Sequence, residues 1–99
     1  MGETIRGFQN IETIRKVCGS TAVWYVFTDV AERVEITNLG DVNEAYYRFD
    51  GKATAAGSTS GILPSGTIPV CKSFDVRAGS VSVIGSGAST PMIQVTGYY

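Results

Sequence analysis

The chain has 99 residues, eight basic and nine acidic side chains, a net charge of −1 and no histidine. That length supports one domain with one modest core, burying roughly 65% of the surface its unfolded form exposes. The charge balance excludes the basic footprint of a nucleic-acid binder, and the missing histidine excludes histidine triads, histidine zinc sites and histidine pH switches.

Residues 1–10, MGETIRGFQN, are polar with isolated apolar positions at Ile5 and Phe8. They read as an N-terminal arm, or as an edge strand paired only in an assembly, ahead of a single domain over 11–99. Ile11 to Cys18 fits two periods. Ile11, Ile14 and Cys18 share a helical spacing; Ile11, Thr13, Arg15 and Val17 share a strand phase, and the β-branched content tips the reading to strand. Ala22 to Thr28 is a continuous apolar and aromatic run, expected as a strand buried on both faces or one whose outer face meets a partner. Asp29-Val30-Ala31-Glu32 reads as a turn into Arg33–Asn38, where Val34 and Ile36 alternate with Arg33, Glu35 and Thr37. Asn38-Leu39-Gly40-Asp41 is a turn signal. Glu44–Asp50 resumes the strand, with Ala45, Tyr47 and Phe49 on one face and Tyr46, Arg48 and Asp50 on the other. Asp50-Gly51 is a common hairpin dipeptide.

Lys52 to Ser60 has little apolar content and reads as a loop or weak edge strand. Ile62-Leu63 runs into the Pro64-Ser65-Gly66 turn. Ile68–Val76 is a further strand, its start confined by Pro69 to an edge or to the first position of a ladder. Ser80–Ile84 and Met92–Tyr98 are the last two. Seven or eight short strands with turns every 8–12 residues, and no convincing helix, predict an all-β fold: an antiparallel β-sandwich or jelly roll.

Charge is uneven along this pattern: from Ala53 to Tyr99 only Lys72, Asp75 and Arg77 carry any. Either Ser, Thr and Gly keep that half wet, or partner chains cover part of it. Cys18 and Cys71 are too few and too far apart for a thiolate zinc site; two buried thiols, one bridge, or cross-links to other copies fit the sequence, and buried free thiols are the favoured state. Asp29, Glu32 and Glu35, with Arg33 among them, read as a solvated turn rather than a cation loop, which needs six to eight oxygens. Gly57-Ser58-Thr59-Ser60-Gly61 lacks the serine, the strand-to-helix context and the base of a nucleophile elbow. No catalytic residue, metal ligand or cofactor site is expected, and the chain reads as a non-enzyme. No run reaches the roughly 18 apolar residues that span a bilayer, so no membrane partner is expected, and the charge balance leaves nucleic acid unexpected as well.

The aromatic residues remain. Trp24, Tyr25 and Phe27 lie in one strand, and Tyr46, Tyr47 and Phe49 in another. Half of each set must face away from the core, and outward Trp and Tyr suit protein contacts. Ile5, Phe8, Trp24, Tyr46, Tyr98 and Tyr99 are the candidate protein-contact residues.

Ile36-Thr37-Asn38-Leu39-Gly40, then Ala45-Tyr46-Tyr47-Arg48-Phe49-Asp50-Gly51, Ala53-Thr54-Ala55, Leu63-Pro64-Ser65-Gly66, Val81-Ser82-Val83-Ile84 and Ile93-Gln94-Val95-Thr96-Gly97 form an ordered set. Over residues 34–97 it resembles small structural proteins of tailed-bacteriophage particles. In those, an Asn-x-Gly turn leads to an aromatic-Arg-Phe strand, an Ala-Thr segment, a Leu-Pro-x-Gly turn and two Val/Ile hairpin strands. The resemblance implies a virion component, foremost a capsid decoration (cement) protein, with the major capsid protein or neck proteins and other copies of itself as partners. Residues 1–33 lie outside it, and it carries no catalytic residue. The alternatives are a head–tail neck or tail protein of the same fold, and a carbohydrate- or receptor-binding sandwich using Trp24 and Tyr46 as stacking rings. An enzyme accessory domain or small hydrolase lacks the necessary acid–base constellation.

Overall fold

The structure is a computed structural model that describes residues 10–19, 21–40, 44–51, 53, 61–64, 69–85 and 91–99. These form eight strands: β1 (Ile11–Val17), β2 (Val23–Ala31), β3 (Arg33–Asn38), β4 (Ala45–Arg48), β5 (Gly61–Leu63), β6 (Val70–Phe74), β7 (Ala78–Gly85) and β8 (Met92–Tyr98). One sheet runs β1-β8-β3-β6 and the other β2-β7-β4-β5. Every pairing is antiparallel. The pairs β1:β8, β2:β7, β3:β6 and β4:β5 are nested one inside the next. That is the winding of an eight-stranded jelly roll, a double-sheet β-sandwich.

Period-two alternation builds the core between the sheets. Val34 and Ile36 on β3, and Ile93 and Val95 on β8, face inward from one sheet. Tyr25, Phe27, Ala45, Leu63, Val81 and Val83 meet them from the other. Complete burial of one such aliphatic side chain stabilises by roughly 1.5–3 kcal/mol. Tyr47, Phe49 and Phe74 close one end as an aromatic triplet, with ring centroids 5.0–5.9 Å apart. Gly97 is a required close approach: a Cβ there would lie 2.8 Å from the Phe27 ring.

Tyr25 joins the two layers. It is fully buried on β2, yet its hydroxyl donates to the Ile93 carbonyl of the opposite sheet at 2.8 Å and approaches the Lys16 carbonyl at 3.2 Å. The Cys18 thiol lies 3.2 Å from the same oxygen. A buried hydroxyl without partners costs several kcal/mol in desolvation, so these bonds make the position tolerable.

The structure departs from the sequence reading at several turns. Asp29-Val30-Ala31 is not a turn: β2 continues through Ala31, and only Glu32 separates it from β3. The chain bends there, where the β2–β7 register shifts between Val26 and Ala31, and passes into the other sheet. Nor do β3 and β4 form a hairpin through Asn38–Asp41; they lie in different sheets. Asn38 is buried at that corner, where its Oδ1 accepts the Gly40 N–H at 2.8 Å and its amide reaches the Leu63 and Pro64 carbonyls at 3.4 Å. Asp50-Gly51 does not close a tight hairpin either, since β5 begins only at Gly61. The Val/Ile strands β7 and β8 likewise belong to different sheets rather than to one hairpin. The segment 11–18 is a strand through Val17, with Ile11, Thr13, Arg15 and Val17 facing out. β6 is an edge strand, as Pro69 requires at its entrance. Among residues 52–60, where a loop was expected, only Ala53 is described.

Tyr25→Phe removes the hydroxyl that bridges the sheets, leaving the Ile93 and Lys16 carbonyls to their β1–β8 ladder, and should cost about 0.5–1.5 kcal/mol in denaturant unfolding. Burial, chiefly, holds the Tyr25 phenol neutral well above its ordinary range. Below pH ~10 this has no effect on stability; above it, the unfolded tyrosine ionises while the folded one does not. Stability therefore falls as pH rises past ~10, and Tyr25→Phe makes that fall shallower, which unfolding curves across alkaline pH would measure.

Candidate functional site

The two outer faces of the sandwich differ in chemistry. On the β1-β8-β3-β6 sheet, registered rows place Ile11, Tyr98 and Arg33 side by side, then Thr13, Thr96, Glu35 and Ser73, then Arg15, Gln94, Thr37 and Cys71. These polar groups bond one another. Glu35 accepts from the Tyr98 hydroxyl at 2.7 Å and the Ser73 hydroxyl at 3.2 Å, and pairs with Arg33 at 3.5 Å. Arg15 donates to Gln94 at 2.6 Å, and the Thr13 and Thr96 hydroxyls lie 3.2 Å apart. Among the described residues, the exposed large apolar side chains on this face, Ile11, Val17 and Met92, lie at its two ends. The polar rows between them are matched to water.

The opposite face is apolar at its centre. Trp24 lies beside Ser82 and Arg48, Val26 beside Ser80, and Ile84 beside Tyr46 and Ile62. Trp24 is 40% exposed, Ile62 48% and Val26 63%. Arg48 is neutralised by Asp50, with Nε 2.6 Å from Oδ1. The Tyr46 hydroxyl donates to Glu44 at 2.8 Å, a bond that raises the phenol's pKa. Ser82 lies in the outward phase of β7 but is fully buried, and its hydroxyl accepts the Ala53 N–H at 3.0 Å.

The two flanks, where the edges of the sheets face each other, are capped by side chains. Lys16 of β1 donates to the Trp24 carbonyl of β2 at 2.9 Å. Lys72 of β6 donates to the Ile62 carbonyl of β5 at 2.9 Å. Glu12 adds a second cap on the β1–β2 flank. It accepts the Thr28 N–H at 2.9 Å, the Thr28 hydroxyl at 3.2 Å and the Tyr99 hydroxyl at 2.7 Å. The Thr28 N–H, first, and then the Tyr99 hydroxyl lower the Glu12 pKa. Sequence reasoning missed these three residues. The available signal was charge in the inward phase of an edge strand, a common way to protect unpaired backbone.

Of the candidate contact residues, Trp24 and Tyr46 come together on the apolar face, one on each side of β7. Tyr98 and Tyr99 sit elsewhere, with hydroxyls satisfied by the chain's own Glu35 and Glu12. Tyr99 also packs on the core and exchanges both backbone hydrogen bonds with Asn10. Ile5 and Phe8 lie outside the described residues. Among the described residues, no group of three or more acidic, cysteine or histidine side chains is placed to hold a metal ion.

No family model and no curated protein matches the chain. Among solved structures it is similar to a chain from Bacillus endospore appendages, described as a novel family of disulfide-linked pili, with a TM-score of 0.47 and 10% identity over 90% of this chain and 85% of that one.

Both cysteines are free thiols, but only one matches the expectation of burial. Cys18 is buried under Tyr25, and desolvation raises its pKa. Cys71 is exposed, because β6 turns Val70, Lys72 and Phe74 toward the other sheet and Cys71 with Ser73 away from it. In native protein, a thiol reagent such as Ellman's should therefore titrate one cysteine rapidly. The second should react only on denaturation, and Cys71→Ser should abolish the fast phase alone.

Proposed function

We propose that this chain is a structural subunit that works by surface burial in a larger particle, foremost as a capsid decoration protein of a tailed-phage virion. The observation that carries the reading is the contrast between the two outer faces. One is polar and hydrogen-bonded to itself across its middle rows, with Ile11, Val17 and Met92 at its ends; the other centres Trp24, Val26, Tyr46 and Ile62 around a neutralised Arg48. Trp and Tyr flanked by aliphatic side chains are the usual energetic anchors of protein interfaces. A sheet face of this kind stabilises a shell additively, each copy removing apolar area from water at a seam between neighbouring subunits. The virion setting rests on the sequence resemblance over residues 34–97, whose Val/Ile strands are not a hairpin here, and the major capsid protein is then the natural partner. A neck or tail position is the close variant. The jelly roll is compatible with these roles and does not select among them.

Trp24 and Tyr46 on one face also suit stacking on sugar rings, the second reading. It separates cleanly from the first: a glycan array would give specific binding that the Trp24→Ser variant loses.

The test of the first reading uses purified virions. Intact-particle mass spectrometry should find the chain in many copies. Particles stripped of it should take it back, and Trp24→Ser with Tyr46→Ser should weaken rebinding by roughly 30-fold or more. Arg15→Ala, on the polar face, should rebind like the wild type. Absence of the chain from the particles, or equal rebinding by all three proteins, would contradict the reading.

A further inference from the structure

The β1–β2 flank carries a self-complementary pattern of backbone groups and charges. β2 is the edge of its sheet, and its backbone ladder is with β7 alone. The caps reveal which groups face outward from that edge: the Trp24 carbonyl meets Lys16, and the Thr28 N–H meets Glu12. Backbone groups alternate sides along a strand, so Val26, midway between, turns its own N–H and carbonyl to the same side. No polar side chain of β1 stands opposite it. The residue between Glu12 and Lys16 in the inward phase is Ile14, which packs on the core. The edge thus presents, in order, a carbonyl, an N–H with a carbonyl, and an N–H. This array is symmetric about Val26 under antiparallel pairing.

We propose that β2 pairs with β2 of a second copy of this chain, antiparallel and centred on Val26. The two Val26 residues exchange both backbone hydrogen bonds. Trp24 of each copy stands opposite Thr28 of the other, so each Trp24 carbonyl accepts from the Thr28 N–H across the two-fold axis. The caps must then let go, and the charges find new partners. Lys16 sits at the Trp24 end of the edge and Glu12 at the Thr28 end. The two-fold axis therefore sets Lys16 of each copy against Glu12 of the other. Every cap bond that opens is replaced in kind: Thr28 exchanges a carboxylate for a carbonyl, and Lys16 exchanges a carbonyl for a carboxylate.

Opposite signs four residues apart are what separate this flank from an edge that is only protected. Like charges would serve protection better, because a second copy would then be repelled. The flank between β5 and β6 has the lysine cap at Ile62, but β5 spans three residues among those described. Pairing through β2 would join the two β2-β7-β4-β5 sheets edge to edge and make one continuous apolar face from two. The inference extends the assembly reading above and names a second copy as one of the partners.

Sedimentation velocity over a concentration series is the test. The wild type should form dimers. Val26→Pro removes the central N–H, which faces away from β7, and should leave a folded monomer with a melting temperature close to the wild type. Lys16→Glu and Glu12→Lys should each weaken dimerisation by about tenfold. An equimolar mixture of these two variants should recover it as a heterodimer, since mixing makes both contacts attractive again. That rescue holds even if Val26→Pro fails to fold, because loss of stability cannot be repaired by mixing. A wild type that stays monomeric at every concentration would overturn β2 pairing. So would dimers that ignore Lys16→Glu and Glu12→Lys and show no preference for the mixture. If the wild type is monomeric but stripped virions still rebind it through Trp24 and Tyr46, β2 pairing alone fails. If dimers form with charge-swap rescue but virions lack the chain, β2 pairing stands and the virion reading fails.

Discussion

The hydroxyl of Tyr25 crosses the sandwich, and the rest of the molecule is arranged around what it reaches. A phenol this deep is tolerated only because the Ile93 and Lys16 carbonyls accept from it. Those two carbonyls belong to β8 and β1, which are hydrogen-bonded neighbours in the opposite sheet. One side chain of β2 therefore fixes the position of β1 above β2, where no backbone ladder joins them. That position lets Glu12 and Lys16 reach the β2 edge, and it seats the Phe27 ring over Gly97, where any larger residue would meet it. Packing and flank chemistry thus depend on one buried polar contact.

The strands were legible where alternation was clean. Val34 and Ile36 against Arg33, Glu35 and Thr37 gave β3 its faces, and Met92–Tyr98 was bounded as it stands in the structure. Ala45, Tyr47 and Phe49 share a face as their spacing requires, the last two in the aromatic cluster with Phe74. The turns were located but misassigned. Asn38-Leu39-Gly40 says that the chain changes direction; it does not say whether the next strand joins the same sheet. In a jelly roll most connections cross between sheets, and local turn chemistry holds no record of that. Asp29 and Val30 misled for a related reason. Outward residues at the end of an edge strand have the polarity and exposure of a turn.

The candidate contact surface was half legible. The phases of Trp24 and Tyr46 put both outside the core, and register then gathered them on one face. Tyr98 and Tyr99 were equally plausible from their residue type, but carboxylates distant in sequence take their hydroxyls. Cys71 was misjudged because its residue type was weighed above its strand phase, in which Phe74 faces inward and odd-numbered neighbours face out.

On the proposed reading, the face bonded to itself meets water and the apolar face meets other protein. Hydroxyl-radical footprinting of the chain in the proposed particle tests that division most directly. Trp24, Val26, Tyr46 and Ile62 should lose most of the reactivity they have in the isolated protein, while Thr13, Arg15 and Gln94 keep theirs. Protection of Arg15 and Gln94 with Trp24 and Tyr46 still reactive would place the contacts on the wrong sheet and contradict the account.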